Sequence, residues 1–172
     1  MLQPLAQLPE HIIQTIAPFT GPLPWQNIDL RVQRIPQGTV APVHVVLAFN
    51  ACHPHYPMAL TAVAMTIGTD IFIDPAFADF NTAAGLSLLV HEAVHVRQFT
   101  TIPNFLVLYN QAEQWVPADR PWENPYELEA YMLECEAWHT FVADGVPRGN
   151  WVPLGIAVGF CNAAGPEMLT LW

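Results

Sequence analysis

Hydrophobic and polar positions along the chain change period several times, and each change marks an element. Ile28, Leu30 and Val32 alternate with Asp29, Arg31 and Gln33, the two-residue period of a half-buried strand over Ile28 to Ile35. A continuous apolar run follows at Val43 to Phe49. The segment AMTIGTDIFIDP, Ala64 to Pro75, sets β-branched and aromatic residues on both sides of Gly68-Thr69-Asp70 and predicts a hairpin. After Asn81 or Thr82, either one a good N-cap, TAAGLSLLVHEAVHVRQFT runs about five turns without proline. Leu86, Leu89, Val90, Ala93 and Val94 keep helical spacing through it, which makes it the central helix. Three further helices are predicted. One starts at Pro9, carries Ile12, Ile13 and Ile16 on one side and stops at Pro18; another covers Asn104 to Trp115; the last begins at Asn124, with Pro125 in its first turn. The apolar stretch from Trp151 to Trp172, interrupted by Gly155, Gly159 and Gly165, reads as a broken helix. The sum is an α+β fold, rich in helices, with a small sheet or hairpin beside the central helix.

Composition narrows the picture. A chain of 172 residues, 52% hydrophobic and 12% charged, suits one folded domain spanning 1–172. There is no lysine, and five arginines against fifteen carboxylates leave a net charge of −10, which repels phosphate backbones and argues against nucleic acid as a partner. No apolar stretch approaches the roughly 20 residues of a membrane span. MLQPLAQLPEHIIQ lacks the basic start and apolar core of a signal peptide, so the expected location is the cytoplasm or beyond it by a signal-independent route. Three cysteines, Cys52, Cys135 and Cys161, without CxxC spacing, favour buried thiols and leave room for one disulfide.

The chemistry concentrates in HEAVH. His91 and His95 stand at i and i+4, so a helix stacks both imidazoles on one face, one turn apart, where they can grip a single metal ion. Glu92 cannot point the same way, which suits it to take a proton from water rather than to ligate. A catalytic zinc site takes three protein ligands and an open position, so a third ligand must come from elsewhere. The last helix offers Glu127, Glu129, Glu134 and Glu136. Glu127 is preferred, on a face that continues through Tyr131, Glu134 and Trp138; Glu129 lies about 200° round the helix from it, so both cannot face one ion. At least two of the four are expected on a solvated acidic face. Gln98, on the metal-facing side of its helix, can hold a hydrogen bond behind a ligand or be merely packed. His53 and His55 beside Cys52 read as a proline-broken surface loop, and His11, His44 and His139 as ordinary packed or exposed histidines.

LLVHEAVHVRQ followed by NPYELEAY resembles the gluzincin branch of the zincin metallopeptidases. More narrowly, AMTIGTDIFIDP and then GLSLLVHEAVHVRQF resemble the small bacterial HExxHxxQ metallopeptidase domains, some of which accompany contractile injection systems; the likeness covers roughly residues 60 to 140. It implies a zincin-like core with the hairpin as the sheet edge above a cleft. It also implicates His91, Glu92, His95 and Gln98, with Glu127 at the E-x-x-A position of a second helix. Where gluzincins often place an aspartate to support a histidine, four residues after the ligand glutamate, this chain has Tyr131, which can pack there or donate its hydroxyl.

The expected function is that of a zinc-dependent metallopeptidase (hydrolase) acting on a peptide or protein substrate through metal-activated water, with Glu92 as general base and Zn2+ held by His91, His95 and Glu127. The strand Ile71 to Asp74 is the candidate for pairing with an extended substrate. The rival is a non-catalytic zinc-binding or toxin-associated interaction module that keeps the same fold.

Overall fold

The computed structural model describes residues 6–33, 63–116, 121–153 and 156. In chain order these form β1 (Ala6–Gln7), α1 (Glu10–Thr20), β2 (Asp29–Val32), β3 (Ala64–Ile67), β4 (Asp70–Ile73), α2 (Ala83–Thr101), α3 (Phe105–Glu113) and α4 (Pro125–Ala143), with short 3-10 turns at Trp25–Asn27 and Pro121–Glu123. The class is α+β, as the periodicity predicts. The apolar run at Val43 to Phe49, the Cys52 to Pro57 loop and most of the C-terminal stretch lie outside the described residues, as do His44 and Cys161.

The sheet runs in the order β1-β2-β4-β3. The hairpin forms as expected, with β3 antiparallel to β4 around a turn at Gly68, whose φ of 64° suits a residue without Cβ. On its other side β4 pairs in parallel with β2, Leu30 beside Ile71. That pairing corrects one expectation. The strand Ile71 to Asp74 has neighbours on both sides and no free edge for a substrate, because β2, from far upstream, takes the place; among the described residues the edge strands are β1 and, on the hairpin side, β3. Register aligns Leu30, Ile71 and Thr66 across one face of the sheet, and the buried Leu30, Ile71 and Ile73 belong to the core shared with the helices.

Helix α2 threads the middle of the molecule. Every residue from Ala83 to Val96 is buried, so the helix has no solvent face at all over its first four turns. It starts at Thr82, whose hydroxyl accepts from the Gly85 amide at 3.2 Å, and two further first-turn amides are satisfied by the carbonyls of Pro147 and Arg148. Packed around it are Ile12 and Ile16 of α1, Ile71 and Ile73 of β4, and Ala137, Trp138 and Phe141 of α4. Helix α1 does not stop at Pro18 but continues to Thr20: the proline forfeits one hydrogen bond near the helix end, and the helix terminates at Gly21, whose φ is 71°. Cys135 is disulfide-bonded, so at this position the expected buried thiol gives way to the disulfide for which the cysteine count left room.

Gly85 separates local from tertiary preference. Alanine forms helix better than glycine by about 1 kcal/mol, so local propensity favours Gly85→Ala. A Cβ at this site would stand 2.1 Å from the Asp79 carbonyl oxygen. We therefore expect Gly85→Ala to destabilise the protein by about 1–3 kcal/mol, seen as a lower urea midpoint. An unchanged or higher midpoint would show that the backbone at Asp79 yields.

Candidate metal centre

Because α2 is unbroken through HEAVH, the two imidazoles lie on one face with Nε2 atoms 3.2 Å apart. Helix α4 packs beside α2, and where it starts decides which carboxylate arrives. Asn124, fully buried, caps it by accepting from the Tyr126 amide at 3.1 Å and donates its side-chain N–H to Glu113 Oε2 at 2.8 Å. Pro125 supplies the first helical φ. One turn in, Glu127 brings Oε2 to 3.3 Å from His91 Nε2 and Oε1 to 3.4 Å from His95 Nε2. Ligand atoms of His91, His95 and Glu127 all lie within 4.8 Å of one another, the one such group of three among the described residues.

Partners behind the rings decide what those atoms can bind. His95 Nδ1 is 2.8 Å from Gln98 Oε1. The amide orientation is set by its other end, since Gln98 Nε2 donates to the Tyr126 carbonyl at 3.0 Å and to Glu129 Oε2 at 2.9 Å. An acceptor therefore faces Nδ1, Nδ1 carries the proton, and the Nε2 lone pair points at the cluster. His91 Nδ1 is buried without a well-aligned hydrogen bond, and its nearest acidic oxygen is Glu134 Oε2 at 3.4 Å. That carboxylate favours the same tautomer. Two imidazole lone pairs and a carboxylate then face each other in a nearly dry place, an arrangement that demands a positive charge in the middle. A proton or a metal ion satisfies it, and two imidazoles with one carboxylate are a donor set suited to zinc-type ions. The same need appears in the acidities. Burial works to lower the His91 pKa, but Glu127 and Glu134 outweigh it and hold it well above the usual range. Burial alone would raise Glu127, yet the two histidines hold it well below the usual carboxylate range.

Glu92 stays out of this group. It turns towards β3, where Thr66 Oγ1 donates to its Oε2 at 2.7 Å and also lies 3.1 Å from its main-chain carbonyl. Burial raises its pKa, against the lowering effects of the two histidines and the threonine hydroxyl.

The other sequence candidates fall into distinct places. Gln98 stands behind His95 rather than at the cluster. Glu129 is tied to Gln98 and, at 2.7 Å, to Arg97, whose guanidinium also donates to the Thr20 carbonyl at the end of α1. Glu134 is buried behind His91, while Glu129 and Glu136 are the exposed pair of the four glutamates. Tyr131 packs its ring edge-on to His91, with centroids 4.7 Å apart. His11 and His139 lie exposed on their helices. Sequence reasoning missed two residues. Thr66 was legible as a polar residue at a core-facing hairpin position; Tyr109, whose hydroxyl donates to Glu127 Oε1, gave no signal beyond its place on a short helix.

The eCIS core domain model matches residues 55–102, which contain β3, β4, α2 and the histidine pair, and links this stretch to proteins associated with contractile injection systems. The match ends before Glu127 and covers under a third of the chain. Neither the curated proteins nor the solved structures hold a match.

Chelator competition with zinc tests the assignment of roles. Gln98→Leu removes the partner of His95 and is expected to weaken zinc binding about 10–100-fold. Glu127→Ala should cost more than that, and Glu129→Ala less, because it acts only through Gln98. Equal or reversed effects of the two glutamate variants would show that the wrong carboxylate has been placed at the ion.

Proposed function

We propose that this protein is a zinc-dependent peptidase in which Glu92 is the general base. The observation that carries the reading is the placement of Glu92: a buried carboxylate next in sequence to one member of the His91, His95, Glu127 group, excluded from that group and tethered by Thr66. A structural metal site has no use for such a residue, whereas hydrolysis requires a proton acceptor beside the ligands.

His91, His95 and Glu127 would hold the ion, which when bound polarises a carbonyl and makes water a stronger acid. The remaining work belongs to the chain. Thr66 engages Oε2 of Glu92, leaving Oε1 as the atom that accepts the proton from water. Burial raises the pKa of this carboxyl above the usual carboxylate range, against the two histidines and the Thr66 hydroxyl, which favours its holding the proton until it is returned to the departing amine. Gln98 keeps the His95 ring in one tautomer and orientation throughout. A peptide substrate is favoured by the neighbourhood: Thr66 itself lies on β3, whose outer edge pairs with no strand among the described residues and whose backbone can align an extended chain.

Glu92→Gln separates this reading from that of a non-catalytic zinc-binding module. Retained zinc with loss of peptide cleavage is the expected result. Unchanged function with the glutamine in place would refute the catalytic role. Thr66→Val is expected to lower kcat about 10-fold or more, the worth of one hydrogen bond to a charged group, with zinc content and KM unchanged. A KM effect alone would mean that Thr66 serves binding and not the base.

A further inference from the structure

Tyr109 lies on α3, a helix that buries Phe105 and exposes Leu106, Val107 and Leu108. Its ring is held between neighbours: Phe105 edge-on with centroids 5.8 Å apart, and Tyr126 stacked at 6.4 Å. The ring also comes edge-on to His95 at 6.3 Å. From that seat the phenol hydroxyl donates to Glu127 Oε1 at 2.5 Å, a short charge-assisted hydrogen bond.

A carboxylate can bind a metal ion through one oxygen or through both. The two oxygens of Glu127 are not equivalent here. Each oxygen lies beside one imidazole, Oε1 3.4 Å from His95 Nε2 and Oε2 3.3 Å from His91 Nε2, but Oε1 also accepts from the Tyr109 hydroxyl, while Oε2 has no hydroxyl donor among the described residues. We propose that Tyr109 is a positioning residue that restricts Glu127 to ligation through Oε2 alone. The consequence concerns reactivity. Three single-atom ligands leave a four-coordinate ion one open position for water, and a carboxylate clasping with both oxygens would crowd that position. The inference rests on the reading of this site as a metal centre.

Cobalt(II) reports coordination number through the intensity of its visible bands, strong when four-coordinate and weaker when five- or six-coordinate. It would be titrated into metal-free wild type and Tyr109→Phe. Strong bands are expected for the wild type; in the variant they should weaken several-fold as Oε1 joins the ion, with cobalt affinity falling about 10-fold. Identical spectra overturn the proposal, and so does a variant that merely melts earlier while its bound cobalt keeps the wild-type spectrum. Infrared difference spectra of zinc-loaded against metal-free wild type test the same point without a variant: a wide separation of the carboxylate stretches marks one-oxygen binding, and a narrow one overturns the proposal even if Tyr109→Phe does not fold. No uptake of cobalt by the wild type would instead remove the metal-centre reading on which the inference stands.

Discussion

Three electron-pair donors held face to face in a nearly dry interior form the constraint on which the rest of this structure depends. His91 Nε2, His95 Nε2 and the Glu127 carboxylate stand 3.2–3.4 Å apart, and none can satisfy another without a positive charge between them. Such an arrangement is costly unless the surrounding fold compels it. Here α2 is buried on all sides through the motif and α4 is packed along it, so neither helix can turn the groups away.

Around that centre each polar side chain has a separate outward attachment. Gln98 is anchored by Tyr126 and Glu129, and Glu129 by Arg97, which reaches on to the end of α1. Asn124 ties the start of α4 to Glu113 on α3, the helix that also carries Tyr109 to Glu127. Thr66 connects Glu92 to the sheet. The imidazoles and carboxylates at the centre are thus oriented from α1, α3, α4 and β3. Partners of this kind fix the tautomer and basicity of a ligand as much as its position.

The composition of the chain acquires a local meaning in this frame. With no lysine and five arginines, few cations are at hand to neutralise carboxylates. Arg97 is spent on the outer network, and the inner one is left to histidine. Gln98 works where it does because a neutral amide can accept from His95 while donating to two oxygens, which neither a carboxylate nor an ammonium can do.

Much of this was readable from one dimension. The helix around His91 and His95, its cap at Thr82, the hairpin at Gly68 and the start of α4 at Asn124 and Pro125 all depend on residues within a turn or two of each other, so local periodicity and capping chemistry suffice to place them. Angular spacing on a helix likewise shows that Glu127 and Glu129 cannot both face one ion, although it does not by itself choose between them. What the sequence could not determine depends on segments far apart in the chain. That β2 closes the free side of β4, that Glu134 rather than a residue at position 131 stands behind His91, that Thr66 meets Glu92 and that Tyr109 meets Glu127 are outcomes of packing. A helix or strand specifies which of its own side chains share a face; only the tertiary structure decides which foreign atoms that face will meet, because that is set by the single way all the buried faces can be covered together.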